Sequence, residues 1–89
     1  MENNQVFLKV CALTEDLNNG QYGMAAVDRI GQDYMFRLQG WEVQGNYIHV
    51  NDCILVEYGN IVYNAKEPGM AASVRKLEEV KVLGNKGTP

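Results

Sequence analysis

The sequence has few of the side chains with which small proteins build cross-links or metal sites. It holds two cysteines and one histidine in 89 residues, and Cys11 and Cys53 stand far apart at no spacing known for metal ligands. We therefore expect no metal and no cofactor. We expect both thiols to be buried and reduced, as in a cytoplasmic protein or a nuclear one in a eukaryote, and a disulfide between Cys11 and Cys53 is the alternative.

Long apolar runs and a basic leader are also missing. No stretch approaches the ~18 apolar residues of a membrane span, and Met1–Gln5 is polar and acidic, so we expect neither a membrane segment nor a secretory signal. A hydrophobic content of 46% is ordinary for a folded protein. We expect one domain over residues 1–89, with an ordered core at about residues 5–84, because a chain this short supports one core.

Positive charge is scarce. The chain has eight Lys and Arg against eleven Asp and Glu, a formal net charge of −3, whereas strongly electrostatic nucleic-acid binders are basic. The last segment, residues 75–89, is the local exception, with four basic and two acidic side chains. The overall charge balance therefore argues against tight electrostatic binding.

No catalytic motif is present. The chain lacks a phosphate-cradling glycine loop, a His–Glu metal-binding helix motif and a nucleophile elbow. Glu78 and Glu79 would point to opposite faces of a strand, and the local sequence around His49 offers it no evident partner, so we interpret His49 as structural. We expect a binding protein without catalytic residues rather than an enzyme.

Apolar residues alternate with a period near two in five segments separated by turn residues, which is typical of β-strands. In the clearest segment, Tyr34, Phe36 and Leu38 share one face, whereas Arg37 and Trp41 share the other. In the first segment, one face consists of Val6, Leu8, Val10 and Ala12. The five predicted strands are Gln5–Leu13, Gln21–Ile30, Tyr34–Trp41, Tyr47–Tyr63 with bends at Asn51 and Gly59, and Val74–Leu83.

Two segments, Glu42–Asn46 and Val74–Leu83, raise the question of whether the chain forms any helix. Glu42–Asn46 is too short for a regular helix, so we expect a loop there. In Val74–Leu83, a helical stripe through Leu77 competes with a strand face through Val80. Because β-branched residues favour strands, we predict a strand, reached either directly or after one helical turn at Pro68–Ser73.

Four motifs follow one another in a distinctive order. Asp28–Gly31 is an Asp-x-x-Gly turn before the alternating third strand. Ile48–Val56 looks like a Val-Gly-Asp-x-Val-x-Val entry into a strand, with Asn51 in the place of Gly, which Asn can take at positive φ. Gly59–Tyr63 is then a bulged continuation, and Leu77–Leu83 a terminal strand. Over roughly residues 5–84, this order resembles the small OB (oligonucleotide/oligosaccharide-binding) domains of the replication protein A-like type.

The resemblance implies an all-β, five-stranded OB-fold-like small barrel that binds single-stranded DNA or RNA in replication or repair. Such domains stack bases on aromatic side chains beside a positive groove, on the outer face of strands two and three. The candidate nucleic-acid-binding residues are Trp41, Arg37, Tyr63, Phe7, Lys9, Tyr22 and Lys66.

Trp41 is the strongest candidate, because strand alternation would send it outward beside Arg37. The alternative packs Trp41 under the 42–46 loop, and Arg37 could instead pair with Asp28 or Glu42. Tyr63, Phe7 and Tyr22 can stack bases or pack at the barrel rim. Four basic side chains can either contact the backbone of a ligand or form a solvated basic face, namely Lys66, Arg75, Lys76 and Lys81, and Lys9 lies beside Phe7.

Two other functions stay open. The acidic balance suits a protein-interaction subunit of a larger nucleic-acid-processing assembly, and the short length permits a mobile-element factor that sequesters a nucleotide or blocks a host protein. Edge strands of a small barrel can also pair between subunits in a homo-oligomer. The sequence does not separate DNA from RNA, because contacts to the 2′-hydroxyl have no local signature.

Overall fold

The computed structural model of the chain describes residues 4–63 and 73–88. The described residues form one sheet and one short helix, so the predicted all-β class is confirmed. The sheet is open and strongly curled into a half-barrel. In chain order, its elements are β1 (Asn4–Asp16), β2 (Gln21–Val27), β3 (Asp33–Gln39), α1 (Gly40–Gly45), β4 (Cys53–Tyr58), β5 (Asn60–Tyr63), β6 (Arg75–Glu78) and β7 (Lys81–Asn85).

Two of the five predicted strands are each divided in two, which accounts for the seven strands of the described part of the chain. Gly59 separates β4 from β5, and Glu79, with a φ of 55°, begins the break between β6 and β7. The Gly59 N–H donates a hydrogen bond of 3.1 Å to the carbonyl of Glu78. The two breaks therefore lie side by side.

The strand order is β5-β6-β3-β2-β1-β4-β7. Neighbouring strands are antiparallel except β3 and β6, which run parallel. Since β4 lies near one end of this order and β5 forms the other end, the run from residue 53 to residue 63 connects the two ends of the curled sheet. The curl leaves an enclosed inner face and an outer face toward solvent.

The inner face of the half-barrel holds the hydrophobic core. β3 alternates strictly between exposed and buried side chains, which confirms the shared face of Tyr34, Phe36 and Leu38. The helix adds Val43 to this core. The buried apolar side chains are Leu8, Val10, Met24, Ala26, Tyr34, Phe36, Leu38, Val43, Ile48, Ile54, Val56, Leu77 and Val82.

The face predicted for the first strand is wrong beyond its middle. The register with β2 shifts between Val10 and Ala12, and a bulge of this kind reverses the side-chain alternation that follows it. Leu13 consequently packs against the core, while Ala12 is exposed. Cys11, at the bulge, is exposed rather than buried as expected, and both it and Cys53 are free thiols.

Helix α1 stands where the sequence predicts the end of a strand and a loop. Trp41 therefore belongs to α1 and not to β3, and Tyr47–Val50, predicted as a strand, lies outside the sheet. Val43 is buried in the core, and the buried Glu42 carboxylate accepts a hydrogen bond of 3.2 Å from a backbone N–H of β7. These tertiary contacts override the weak helix propensity of a short segment bounded by glycines.

The last predicted strand is confirmed as β6 and β7. The optional helical turn at 68–73 lies outside the described residues except for Ser73, which is not helical.

Asp52 ties the connection between α1 and β4 to the C-terminal segment. Its carboxylate accepts hydrogen bonds from the His49 backbone N–H, the Asn85 side-chain amide and the Thr88 hydroxyl, at 2.9, 3.0 and 3.0 Å. These hydrogen bonds hold the pKa of Asp52 below its usual value, and the bond from Asn85 has the largest effect. Asn51 has a φ of 79°, so the expected positive φ at this position is confirmed. The imidazole of His49 has the Asp52 carboxylate as a neighbour at 3.8 Å, which the local sequence did not reveal.

Candidate nucleic-acid interface

A groove of about 300 Å³ crosses the outer face of the sheet over β1, β2, β3 and β6. Its floor is low, because the outward positions of β1 and β2 carry the small residues Ala12, Gly23 and Ala25. Ala12 pairs with Ala25, and Gly23 pairs with Arg37 on β3. We call this surface the β2 groove, bordered by Thr14, Met35, Arg37 and Lys76.

Arg37 and Lys76 supply the positive charge of the β2 groove. Arg37 points outward from β3 opposite Gly23, and Lys76 lies opposite Met35, where β6 runs parallel to β3. Both side chains are exposed. Strand alternation predicts directly that Arg37 points outward. Lys76 has no local signal that distinguishes it from the other C-terminal cations, because its position depends on pairing between distant segments.

Asp16 holds Arg37 at the end of the β2 groove. The guanidinium lies 3.5 Å from the Asp16 carboxylate, and 61% of the Arg37 side chain is exposed. Asp16 is thus the partner of Arg37 in place of the expected Asp28 or Glu42. The Asn19 amide, which donates to Asp16 over 2.8 Å, is the main cause of a lowered Asp16 pKa, and Arg37 contributes less. Exposed ion pairs of this kind contribute little stability.

Neither Trp41 nor Tyr22, the two aromatic residues predicted to bind around strands two and three, lies on the outer face of those strands. Trp41 lies in α1, beyond the end of β3, and is 73% exposed, so it does not pack under the following loop. Tyr22 pairs with the inward-facing Leu38 and is half-buried against the core. Trp41 is therefore accessible to a ligand, whereas Tyr22 mainly fills the margin of the core.

Tyr63 and Phe7 each lie close to an arginine, outside the β2 groove. The Arg75 guanidinium is 5.5 Å from the centroid of the Tyr63 ring, and the Arg29 guanidinium is 5.7 Å from that of Phe7. Tyr63 is 62% exposed on the edge strand β5, and Phe7 is 37% exposed on β1. Both contacts have the distance of cation–π interactions.

The remaining two predicted residues are lysines. Lys9 is exposed between the buried Leu8 and Val10, so it points to the outer face of β1. Lys66 lies outside the described residues. The structure thus places Phe7, Lys9 and Arg37 on the outer face of the sheet. Trp41 and Tyr63 lie on other parts of the surface, in α1 and on the edge strand β5.

No group of three or more His, Cys, Asp or Glu side chains among residues 4–63 and 73–88 could hold a metal ion. Within the same ranges, no helix has the length and apolar character needed to cross a membrane. Comparison with known proteins matches the chain to no family model, no curated protein and no solved structure.

Proposed function

We propose that the protein binds single-stranded nucleic acid, with the strand lying in the β2 groove. The observation that carries the proposal is the position of Arg37 and Lys76 beside a floor made of Ala12, Gly23 and Ala25. Single-strand binders combine a positive groove for the backbone with surfaces that accept the bases. The outer face of strands two and three is also where OB-type barrels hold oligonucleotides.

The strand connections support an OB-type barrel of the replication protein A-like kind as the basis of this function. If β4 with β5 and β6 with β7 are each taken as one bent strand, the chain has the five strands of that fold. The first three form an antiparallel meander, and the fifth pairs with both the third and the fourth. A role in replication or repair, in the cytoplasm or nucleus, belongs to the same proposal.

The low floor of the β2 groove determines what it can accept. With nothing larger than a methyl group at Ala12, Gly23 and Ala25, a base can approach the backbone of β1 and β2. The Met35 thioether at the border suits contact with an aromatic ring, and the phosphates would contact Arg37 and Lys76. Lys9 extends the positive surface farther along β1.

The net charge of −3 predicts weak binding that is sensitive to salt. Phosphate contacts by Arg37, Lys76 and Lys9 would give a slope of about −2 for the logarithm of affinity against the logarithm of salt concentration. Affinity should therefore be highest at low salt and fall steeply toward physiological ionic strength.

The proposal is tested by fluorescence anisotropy of a labelled short oligothymidine at about 50 mM salt, where phosphate contacts are strong. Arg37→Glu and Lys76→Glu should each weaken binding at least about tenfold, since each converts a phosphate contact into a repulsion. Lys81→Glu is the matched control, because Lys81 is exposed on β7, outside the β2 groove. It changes the net charge equally and should alter affinity by less than about twofold.

Equal losses in all three variants would show non-specific attraction rather than a groove, and absence of binding by the wild type would exclude the function. The same titration with oligouridine compares RNA with DNA.

A further inference from the structure

A second cavity, of about 540 Å³, lies at the beginning of β1. It exists because β1 extends past the end of β2. From Lys9 onward β1 pairs with β2, whereas Asn4–Leu8 pairs with β4 alone. The turn between β2 and β3 borders this exposed stretch. We call the space the turn cavity, lined by Gln5, Val6, Phe7, Asp28, Arg29, Ile30 and Leu55.

The backbone of Asn4–Leu8 offers a free strand edge beside the turn cavity. On the side away from β4, no strand of the described chain pairs with this stretch. Such an edge can add an extended peptide through main-chain hydrogen bonds. The backbone therefore favours an extended chain as the ligand of this cavity.

The side chains around the turn cavity are mainly apolar. Val6 and Leu55 are half-buried, Phe7 is 37% exposed, and Ile30 is 78% exposed at the tip of the turn. A bulky apolar side chain of a partner would remove Ile30 and Phe7 from water, which is the main favourable contribution of such contacts.

Arg29 brings a positively charged side chain to the turn cavity, whose lining also includes the carboxylate of Asp28. Its guanidinium lies over the Phe7 ring, and among the described residues no carboxylate forms an ion pair with it. The neighbouring Asp28 carboxylate already accepts hydrogen bonds from two backbone N–H groups of the turn and from the Tyr34 hydroxyl. Arg29 can therefore attract a carboxylate from outside the chain.

We propose that the turn cavity docks an extended acidic segment of a partner protein. The segment pairs with the free edge of β1, places an apolar side chain against Phe7 and Ile30, and directs a carboxylate to Arg29. A nucleic-acid base fits less well, because Arg29 lies over the Phe7 ring where a base would stack and the other apolar lining is aliphatic. The turn cavity shares no lining residue with the β2 groove.

The test uses a fluorescein-labelled peptide of alternating Asp and Leu, with two matched peptides in which Lys replaces Asp or Ser replaces Leu. The Asp–Leu peptide should bind at least about tenfold more tightly than either control. Arg29→Glu and Ile30→Ser should each weaken it by a similar factor, and amide NMR signals of Gln5–Phe7 should shift on binding. Arg37→Glu, which makes the same charge change in the β2 groove, should leave peptide affinity within about twofold.

Three results would overturn the proposal. The first is binding of the Lys peptide as tight as that of the Asp peptide, or no binding of either. The second is a loss of oligothymidine affinity in Arg29→Glu with no loss of peptide affinity, which would assign the cavity to nucleic acid. The third is a dimer, seen by sedimentation, that Arg29→Glu dissociates, which would make a second copy the occupant. Failure of nucleic-acid binding in the β2 groove would leave the peptide result unaffected.

Discussion

The Tyr34 hydroxyl donates a hydrogen bond of 3.0 Å to Oδ2 of Asp28, which joins the start of β3 to the turn that precedes it. The Tyr34 ring belongs to the core and is 8% exposed. Burial raises the pKa of Asp28, but hydrogen bonds from Gln32, Tyr34 and Ile30 outweigh it, so the pKa lies below its usual value. This bond thus joins the turn that carries Arg29 to a residue of the hydrophobic core.

This bond predicts a loss of stability at alkaline pH. Burial, and then the hydrogen bond to Asp28, raises the pKa of Tyr34 to about 12, whereas an unfolded tyrosine ionises near ~10. Between these values the unfolded chain releases the proton first, so the free energy of unfolding should fall as pH rises from about 10 to about 12, by about 2–3 kcal/mol in total. The stabilisation is complete below about pH 10.

Urea unfolding of the wild type and of Tyr34→Phe over this pH range measures the effect. Other tyrosines and the lysines titrate in both proteins, so the difference between the two curves isolates Tyr34. At neutral pH the variant should lose about 1–2 kcal/mol, because Asp28 keeps its backbone donors. Parallel curves above about pH 10 would contradict the assignment.

Gly59 and Glu79 should be energetically coupled, because they face each other at the two breaks in the sheet. A Cβ atom at position 59 would lie 3.1 Å from the Cβ of Glu79 and would overlap its carboxylate. The exposed carboxylate can turn away, so the approach of the two Cβ atoms is the main obstacle, and Gly59→Ala should destabilise the fold by about 0.5–1 kcal/mol. Glu79→Gly should stay within about 0.5 kcal/mol of the wild type, since relief of the positive φ offsets the extra freedom of the unfolded chain.

In the double variant the obstructing side chain is gone, so Gly59→Ala should cost less there than in the wild type. Urea unfolding of the four proteins forms a double-mutant cycle that gives this coupling energy directly. Additive effects would mean that Gly59 is required for the backbone bend and not for the approach of Glu79.

Local patterns in the sequence predict much of the fold. The alternation in β3 identifies its inward residues and places Arg37 outside, and the positive φ of Asn51 agrees with the tolerance of Asn for that conformation. These features depend on neighbouring residues alone. Strand alternation and the conformational preference of a single residue type are therefore sufficient to predict them.

The features that were missed depend on tertiary contacts. The bulge after Val10 changes which side of β1 faces inward, although no glycine marks it. The helix forms because Val43 and Glu42 find partners inside the barrel. The position of Lys76 beside β3 depends on a parallel pairing between segments about forty residues apart. None of these contacts leaves a periodic signal in the sequence.

Under the proposed function, Trp41 is the residue that would hold a strand beyond Arg37. Because 73% of its surface is exposed and Val43 anchors α1 in the core, Trp41→Ala should change the free energy of unfolding by less than about 0.5 kcal/mol. A base stacked on the indole contributes about 1–3 kcal/mol, so the same variant should weaken oligothymidine binding at least about fivefold, while Trp41→Phe retains most of the affinity. Anisotropy and urea unfolding of both variants separate the outcomes: lost stability would mean that the indole packs against the fold, and unchanged affinity would mean that the strand leaves the protein before α1.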